Sequence, residues 1–364
     1  MAAIQRVLVL NQRRRRPRSR LVHVNFFIRQ NLSPFDILPD VAILQKFRLP
    51  RQLIMELLDL LRPALARLTR RNFALSPEVQ LLAALRFFAT GSFIEVVGEG
   101  YGLSKTSVWR CIHTVTNALL RHAGDYIRLP ATRQEVQEVH QGCHAIAGIP
   151  RVLGLVNGTL IPIANPSVID QAYISPKGYA AINVQVIVDH RGVISDLVAR
   201  WPGSTHDSFV WANSAVGEQA EREGFGQSLF LGDSGYPLRT YLFTPLTNPQ
   251  TRAERAYNFA HVRTRNVVEC LHKSAGGLRM KPHSSCAVTV ATAILHNMAV
   301  RGGAPIPEGE EEEEEVEADE EEDGEGETLE SIVRKDKKTH HFLCMLNTQT
   351  SRTYNSALSS VTKG

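Results

Sequence analysis

Leu153-Gly154-Leu155-Val156-Asn157-Gly158-Thr159-Leu160-Ile161-Pro162 is the stretch on which the fold turns. Residues 152–156 are an apolar, β-branched run, the texture of a strand, and the run arrives at a polar side chain, Asn157. Runs of the same texture recur at 182–189, 193–200 and 229–231, with helical stretches predicted near 204–214 and 266–273. Strands followed by interleaved helices predict an α/β domain with a mixed sheet, over residues 149–302. Asn-Gly between apolar runs is also a hairpin signal, so a turn at Asn157-Gly158 stays open beside the strand reading.

Upstream, the texture is helical. Leu53, Leu57, Leu58 and Leu61 repeat at three and four residues, as do Leu81, Leu82, Leu85 and Phe88. Ser76-Pro77-Glu78 supplies an N-cap, a first-turn proline and an early carboxylate, and Ser104 after Gly102 opens another helix. Residues 36–148 therefore read as an all-α domain, and 77–120 as helix, short helix, glycine-containing turn, helix. That order fits a helix-turn-helix, which would present Lys105, Thr106, Ser107 and Arg110 to DNA from the start of its last helix. An ordinary helical bundle with a wet face fits equally well.

Charge is unevenly placed. The chain has 41 Lys and Arg against 37 Asp and Glu, but sixteen of the acids lie in 308–330, where there is no Lys or Arg. Elsewhere 41 basic residues face 21 acidic ones, a formal net charge of +20. Such an excess on a folded body suits a polyanion such as DNA or RNA. Arg13, Arg14, Arg15 and Arg16 head a basic arm over 1–35, with the composition of a nuclear-import signal or a phosphate-gripping arm, unless it is only a solvated tail. Residues 303–364 lack periodicity and predict an acidic disordered tail. Cys111, Cys143, Cys270, Cys286 and Cys344 form no CxxC pair and follow no signal peptide, the pattern of reduced intracellular thiols. The longest apolar run, 286–300, is shorter than the roughly 20 residues of a membrane span and contains His296 and Asn297. It predicts a soluble protein in which His296 is a core or interface side chain.

Four polar positions stand at strand ends or on a helix. They are Asn157, Asp207 in Trp201-Pro202-Gly203-Ser204-Thr205-His206-Asp207-Ser208, Asp233 in Leu231-Gly232-Asp233-Ser234-Gly235, and Glu269. Each has a plain alternative. Asp207 completes an S-x-x-D capping box with Ser204, Asp233 belongs to an Asp-Ser-Gly turn, and a lone helical glutamate such as Glu269 is ordinarily solvated. Taken together, oxygen ligands from separate elements suit Mg²⁺ or Mn²⁺, and two such ions drive in-line phosphoryl displacement in nucleases. The basic residues Arg263 and Arg265 would flank that site and grip phosphate.

The chain resembles the Harbinger transposase-derived nuclease family across residues 47–300. The resemblance is carried in order by Pro50-Arg51-Gln52, Leu75-Ser76-Pro77-Glu78, Leu82-Ala83-Ala84-Leu85, Thr90-Gly91-Ser92-Phe93 and Leu103-Ser104-Lys105-Thr106-Ser107. It continues through Trp201-Pro202-Gly203-Ser204, Leu231-Gly232-Asp233-Ser234, Tyr257-Asn258-Phe259-Ala260-His261 and Ile294-Leu295-His296-Asn297. It implies an RNase H-like DDE nuclease domain behind a helix-turn-helix. It also implies a divalent metal, DNA as substrate, a Myb/SANT-like protein partner and a nuclear location, with the cytoplasm left open as a second one. Carried over by position, the metal ligands are Asn157, Asp207, Asp233 and Glu269, the last three being the catalytic carboxylates.

Two departures bear on activity. The family's first position is aspartate, whereas Asn157 offers only a neutral carbonyl oxygen. The segment after Glu269 is short and interrupted by Gly276-Gly277, where the family continues a helix. Two functions follow from these expectations: a metal-dependent DNA endonuclease, or a DNA-binding protein that kept the scaffold and lost the chemistry. A histone-handling role for the acidic run is a weaker third.

Overall fold

The computed structural model describes residues 35, 38–66, 74–166, 171–269, 277, 278 and 280–303. Arg13, Arg14, Arg15 and Arg16 and the acidic run lie outside the described residues.

The helical part comprises α1 (Asp40–Phe47), α2 (Arg51–Leu65), α3 (Pro77–Thr90), α4 (Ile94–Tyr101), α5 (Lys105–Leu120), α6 (Ala123–Tyr126) and α7 (Arg133–Ala147). Local chemistry sets the starts. Ser76 Oγ accepts from the Val79 amide at 3.2 Å with Pro77 in the first turn, and Ser104 Oγ accepts from the Ser107 amide at 3.2 Å. Thr132 and Glu135 open α7 with a reciprocal capping box. Between α4 and α5 the chain turns at Gly102, whose φ of 61° is the left-handed region that glycine enters without steric cost. Leu53, Leu57, Leu58 and Leu61 of α2 are buried, as their spacing predicts.

The sheet holds β1 (Val152–Pro162), β2 (Ala181–Val188), β3 (Ile194–Pro202), β4 (Leu229–Leu231) and β5 (Leu242–Phe243) in the order β3-β2-β1-β4-β5. The first three strands are antiparallel, and β4 and β5 run parallel to β1. This is the mixed α/β sheet expected. All eight residues of β2 are buried, so both faces of the sheet are covered. β1 continues straight through Asn157 and Gly158, which pair with Val186 and Gln185. The hairpin reading of Asn157-Gly158 is thereby overturned. β1 is the central strand, and ladders to β2 and β4 outweigh a local turn preference.

Helices cover the two faces differently. α8 (Asp207–Ala212) and α9 (Ala215–Arg222) lie over one face, where Trp211 and Val216 pack with Leu153, Val156, Ile187 and Phe230. α10 (Arg252–Glu269) and α11 (Pro282–Arg301) lie over the other, and α7 packs on both clusters, Val136 on the first and Val139 and Cys143 in the second. A single apolar core on that second side runs from Ile43 in α1 through Leu155 and Val186 to Ala299 in α11. The helical residues and the sheet thus share one interior, because α11 packs against both α5 and β3.

Asn297 fixes that docking. Its Oδ1 accepts from the Ile194 amide at 2.8 Å, and its Nδ2 donates to the carbonyls of Ile194 and Tyr126. His296 is fully buried with Nε2 at 2.7 Å from the Gly192 carbonyl. Among the described residues, no helix is long and apolar enough to cross a membrane.

Candidate active site

Successive residues of a strand point to opposite faces, and this places Asn157 and Gly158 on different sides of β1. On the Gly158 side stands Asp207. A Cβ at position 158 would lie 2.3 Å from Asp207 Oδ1, so the carboxylate rests against the bare glycine backbone. Asp207 is the first residue of α8 and its N-cap is His206, whose Nδ1 accepts from the Ser208 amide at 3.3 Å. The alternative reading, a capping box with Ser204, is not what forms, because the helix starts two residues later with His206 as its cap. Freed from that duty, Asp207 Oδ1 accepts a 2.8 Å hydrogen bond from Asn183 Nδ2, which also donates to the Thr205 carbonyl. Burial raises the Asp207 pKa above the usual carboxylate range, the Asn183 bond opposes that, and nearby Asp233 reinforces it.

Asp233 follows β4, next to β1 in the sheet. Its Oδ1 accepts from the Gly235 amide at 2.8 Å, so the Asp-Ser-Gly turn forms. A side chain on Gly235 would meet Asp233 Oδ1 at 3.0 Å and Asp207 Oδ2 at 3.4 Å. The two carboxylates therefore flank one glycine, Gly235, while Asp207 alone rests against Gly158.

On the Asn157 side lies α10. Its approach is set by the Tyr257-Asn258-Phe259-Ala260-His261 motif. Tyr257 donates to the Thr244 carbonyl at 2.9 Å, Asn258 bonds the amide and carbonyl of Leu246 at 2.8 Å each, and His261 Nε2 lies 3.2 Å from the Phe243 carbonyl. One turn further on, the guanidinium of Arg265 reaches β1. Nη2 donates to Asn157 Oδ1 at 2.8 Å, Nε to the Val156 carbonyl at 3.3 Å, and Nη1 to Glu269 Oε1 at 2.8 Å. Nη2 also lies 3.6 Å from Asp233 Oδ2. Arg265 is only 7% exposed, whereas Glu269, the last residue of α10, keeps half of its side chain in solvent.

The four predicted ligands are thus brought to one region, but not into one shell. Asn157, Asp233 and Glu269 meet at Arg265, and Asp207 joins through Gly158 and Gly235. Arg263 is exposed on α10, while Arg265, expected beside it as a phosphate grip, is buried. Of the residues at the start of α5, Lys105, Thr106 and Arg110 are exposed, Lys105 pairs with Glu95, and Ser107 is half-buried and joined to the Ser104 cap. Sequence reasoning missed Asn183, hidden in an apolar run. Trp109 on α5 is 47% exposed, and its ring lies tilted at 44° to that of His113 with centroids 4.0 Å apart. Residues 270–276, including Gly276, lie outside the described residues; Leu278 returns beside β1, its amide donating to the Pro162 carbonyl at 2.7 Å.

Residues 156–297, which carry all four positions, match the family described as DDE superfamily endonuclease. The chain is also 36% identical over 282 residues to the protein named "Putative nuclease HARBI1" in Bos taurus, covering 74% of this chain and 81% of that one. The Homo sapiens protein of that name gives the same figures. The chain belongs to the Harbinger transposase-derived nuclease family. A more distant relative, "Protein ALP1-like" of Arabidopsis thaliana, is 25% identical over 209 residues, 51% of this chain and 49% of that protein. No solved structure matches the chain.

Endonucleases of the DDE superfamily generally use divalent metals, and the Harbinger-type donors here fit such an ion in kind. Asp207, Asp233, Glu269 and the Asn157 carbonyl are all hard oxygen donors, and the first two stand close together, both within 3.4 Å of where a Cβ on Gly235 would lie. The cage is nonetheless incomplete as it stands. Among the described residues no three His, Cys, Asp or Glu side chains come together to hold an ion, since Glu269 is turned to Arg265.

Proposed function

We propose that this chain is a nuclear, transposase-derived DNA endonuclease that depends on a divalent metal, Mg²⁺ or Mn²⁺. The observation that carries the reading is the approach of Asp207 and Asp233 to each other at Gly235, with Asn157 and Glu269 gathered beside Asp233 by Arg265. Asp207 and Asp233 would hold the ion, Glu269 would complete the set once released, and Asn157 would contribute its carbonyl. The metal would activate the attacking oxygen and stabilise the leaving one in phosphodiester hydrolysis. Asn183 orients Asp207, and the α10 motif sets the distance of Glu269 from the sheet.

DNA is the proposed partner, met by Lys105, Thr106, Ser107 and Arg110 on a helix-turn-helix built from α3 to α5, with Arg263 exposed on α10. Arg13, Arg14, Arg15 and Arg16 are proposed as the import signal, and a Myb/SANT-like protein as the accessory partner. The net charge of +20 outside the acidic run supports a salt-sensitive grip on phosphates.

A second reading, a DNA-binding protein without chemistry, is favoured by the neutral Asn157 and by the guanidinium at the meeting point. Cleavage of supercoiled and linear duplex DNA in Mn²⁺ by the wild type, Asp233→Ala and Asn157→Asp separates the two. The first reading expects cleavage that Asp233→Ala abolishes. Cleavage by Asn157→Asp alone supports the second, and duplex binding indifferent to salt contradicts both.

A further inference from the structure

Arg265 sets a fixed positive charge where the acidic groups converge. Its guanidinium bonds Asn157 Oδ1 and Glu269 Oε1 at 2.8 Å, lies 3.6 Å from Asp233 Oδ2, and is anchored by Nε to the Val156 carbonyl. These are the same oxygens that a divalent ion would need. An oxygen lone pair aimed at the guanidinium is not aimed at a metal, and two cations sharing one pocket repel. The hold is also reversible in kind. Asn157 binds the guanidinium through a neutral acceptor, a weaker grip than a carboxylate gives, and the Glu269 side chain is half in solvent, so neither fixes Arg265 permanently.

We propose that Arg265 is the gate of the metal site: it keeps Asn157, Asp233 and Glu269 together without metal, and must leave them for a divalent ion to be held. Glu269 then turns from Arg265 toward the carboxylates, and the released guanidinium becomes available to a backbone phosphate. The inference rests on the metal-dependent reading above. It makes Arg265 a positioning residue whose removal opens the site.

The test titrates Mn²⁺ into the EDTA-stripped full chain and follows the free ion by electron paramagnetic resonance. Arg265→Met, which removes a like charge from beside the ion, is expected to bind at least about 10-fold more tightly than the wild type. Arg265→Lys, which keeps the charge but cannot span three partners, is expected to fall between them. In the wild type, the Arg265 Nε–Hε resonance is expected to lose its protection from water exchange as Mg²⁺ binds, a readout that needs no variant to fold. Equal Mn²⁺ affinity in wild type and Arg265→Met, or unchanged protection on Mg²⁺ binding, overturns the gate and leaves the metal-dependent reading standing. No binding in either protein overturns both. Tightened binding without any DNA cleavage upholds the gate and removes the endonuclease reading.

Discussion

Arg265 Nη2 donates to Asn157 Oδ1 at 2.8 Å across 108 residues of sequence, tying the end of α10 to the centre of β1. The same guanidinium reaches Glu269 and approaches Asp233, so one buried cation organises three of the four positions expected to hold metal. A buried charge is tolerated when it is paired and hydrogen-bonded, and Arg265 is both.

Gly158→Ala should disturb the site from its opposite side. The new Cβ would fall 2.3 Å from Asp207 Oδ1, forcing the carboxylate off Asn183 or bending β1. A loss of about 1–3 kcal/mol in urea unfolding is expected. Gly124→Ala is the control, since a Cβ there meets nothing within 4 Å. Equal unfolding midpoints for the two variants would contradict the close packing of Asp207 on β1.

Stability should fall as pH rises through the range where Asp196 ionises. Burial pushes this carboxyl up to about 6, and among the described residues its Oδ2 has no hydrogen-bond partner. The folded state thus binds the proton more readily than the unfolded chain. The stabilisation is full below the ordinary carboxylate pKa near 4 and is lost as pH climbs through about 6, each pH unit between those two values being worth about 1.4 kcal/mol. Asp207, raised in the same direction, adds to the trend. Asp196→Asn should flatten the dependence and stabilise the protein at pH 7. Thermal unfolding between pH 4 and 8 checks this, and parallel curves for the two proteins would refute it.

Much of this was legible locally. The caps at Ser76 and Ser104, the leucine spacing of α2 and the β-branched runs each depend on residues a few positions apart, and each forms as the spacing predicts. Local signals failed where distant partners decide. Asn157-Gly158 reads as a turn until β2 and β4 pair with the strand on both sides, and Ser204 reads as a cap until His206 takes that place. Arg265 reads as a surface phosphate ligand because two of its acceptors, the Val156 carbonyl and Asn157 Oδ1, lie more than a hundred residues upstream. Asn183 gave no signal, since an amide inside an apolar strand shows its use only when Asp207 arrives from the next helix. The change of texture near residue 148 was visible, but not the shared core beneath it, because α11 returns from far along the chain to pack on α5.

The most direct test of the hub at Arg265 is a double-mutant cycle of Asn157→Ala and Arg265→Met, read by urea unfolding in EDTA. A hydrogen bond from a buried guanidinium predicts a coupling energy of about 1–3 kcal/mol between the two positions. Additive losses, with coupling within about 0.3 kcal/mol of zero, would contradict the link between α10 and β1 on which the site is built.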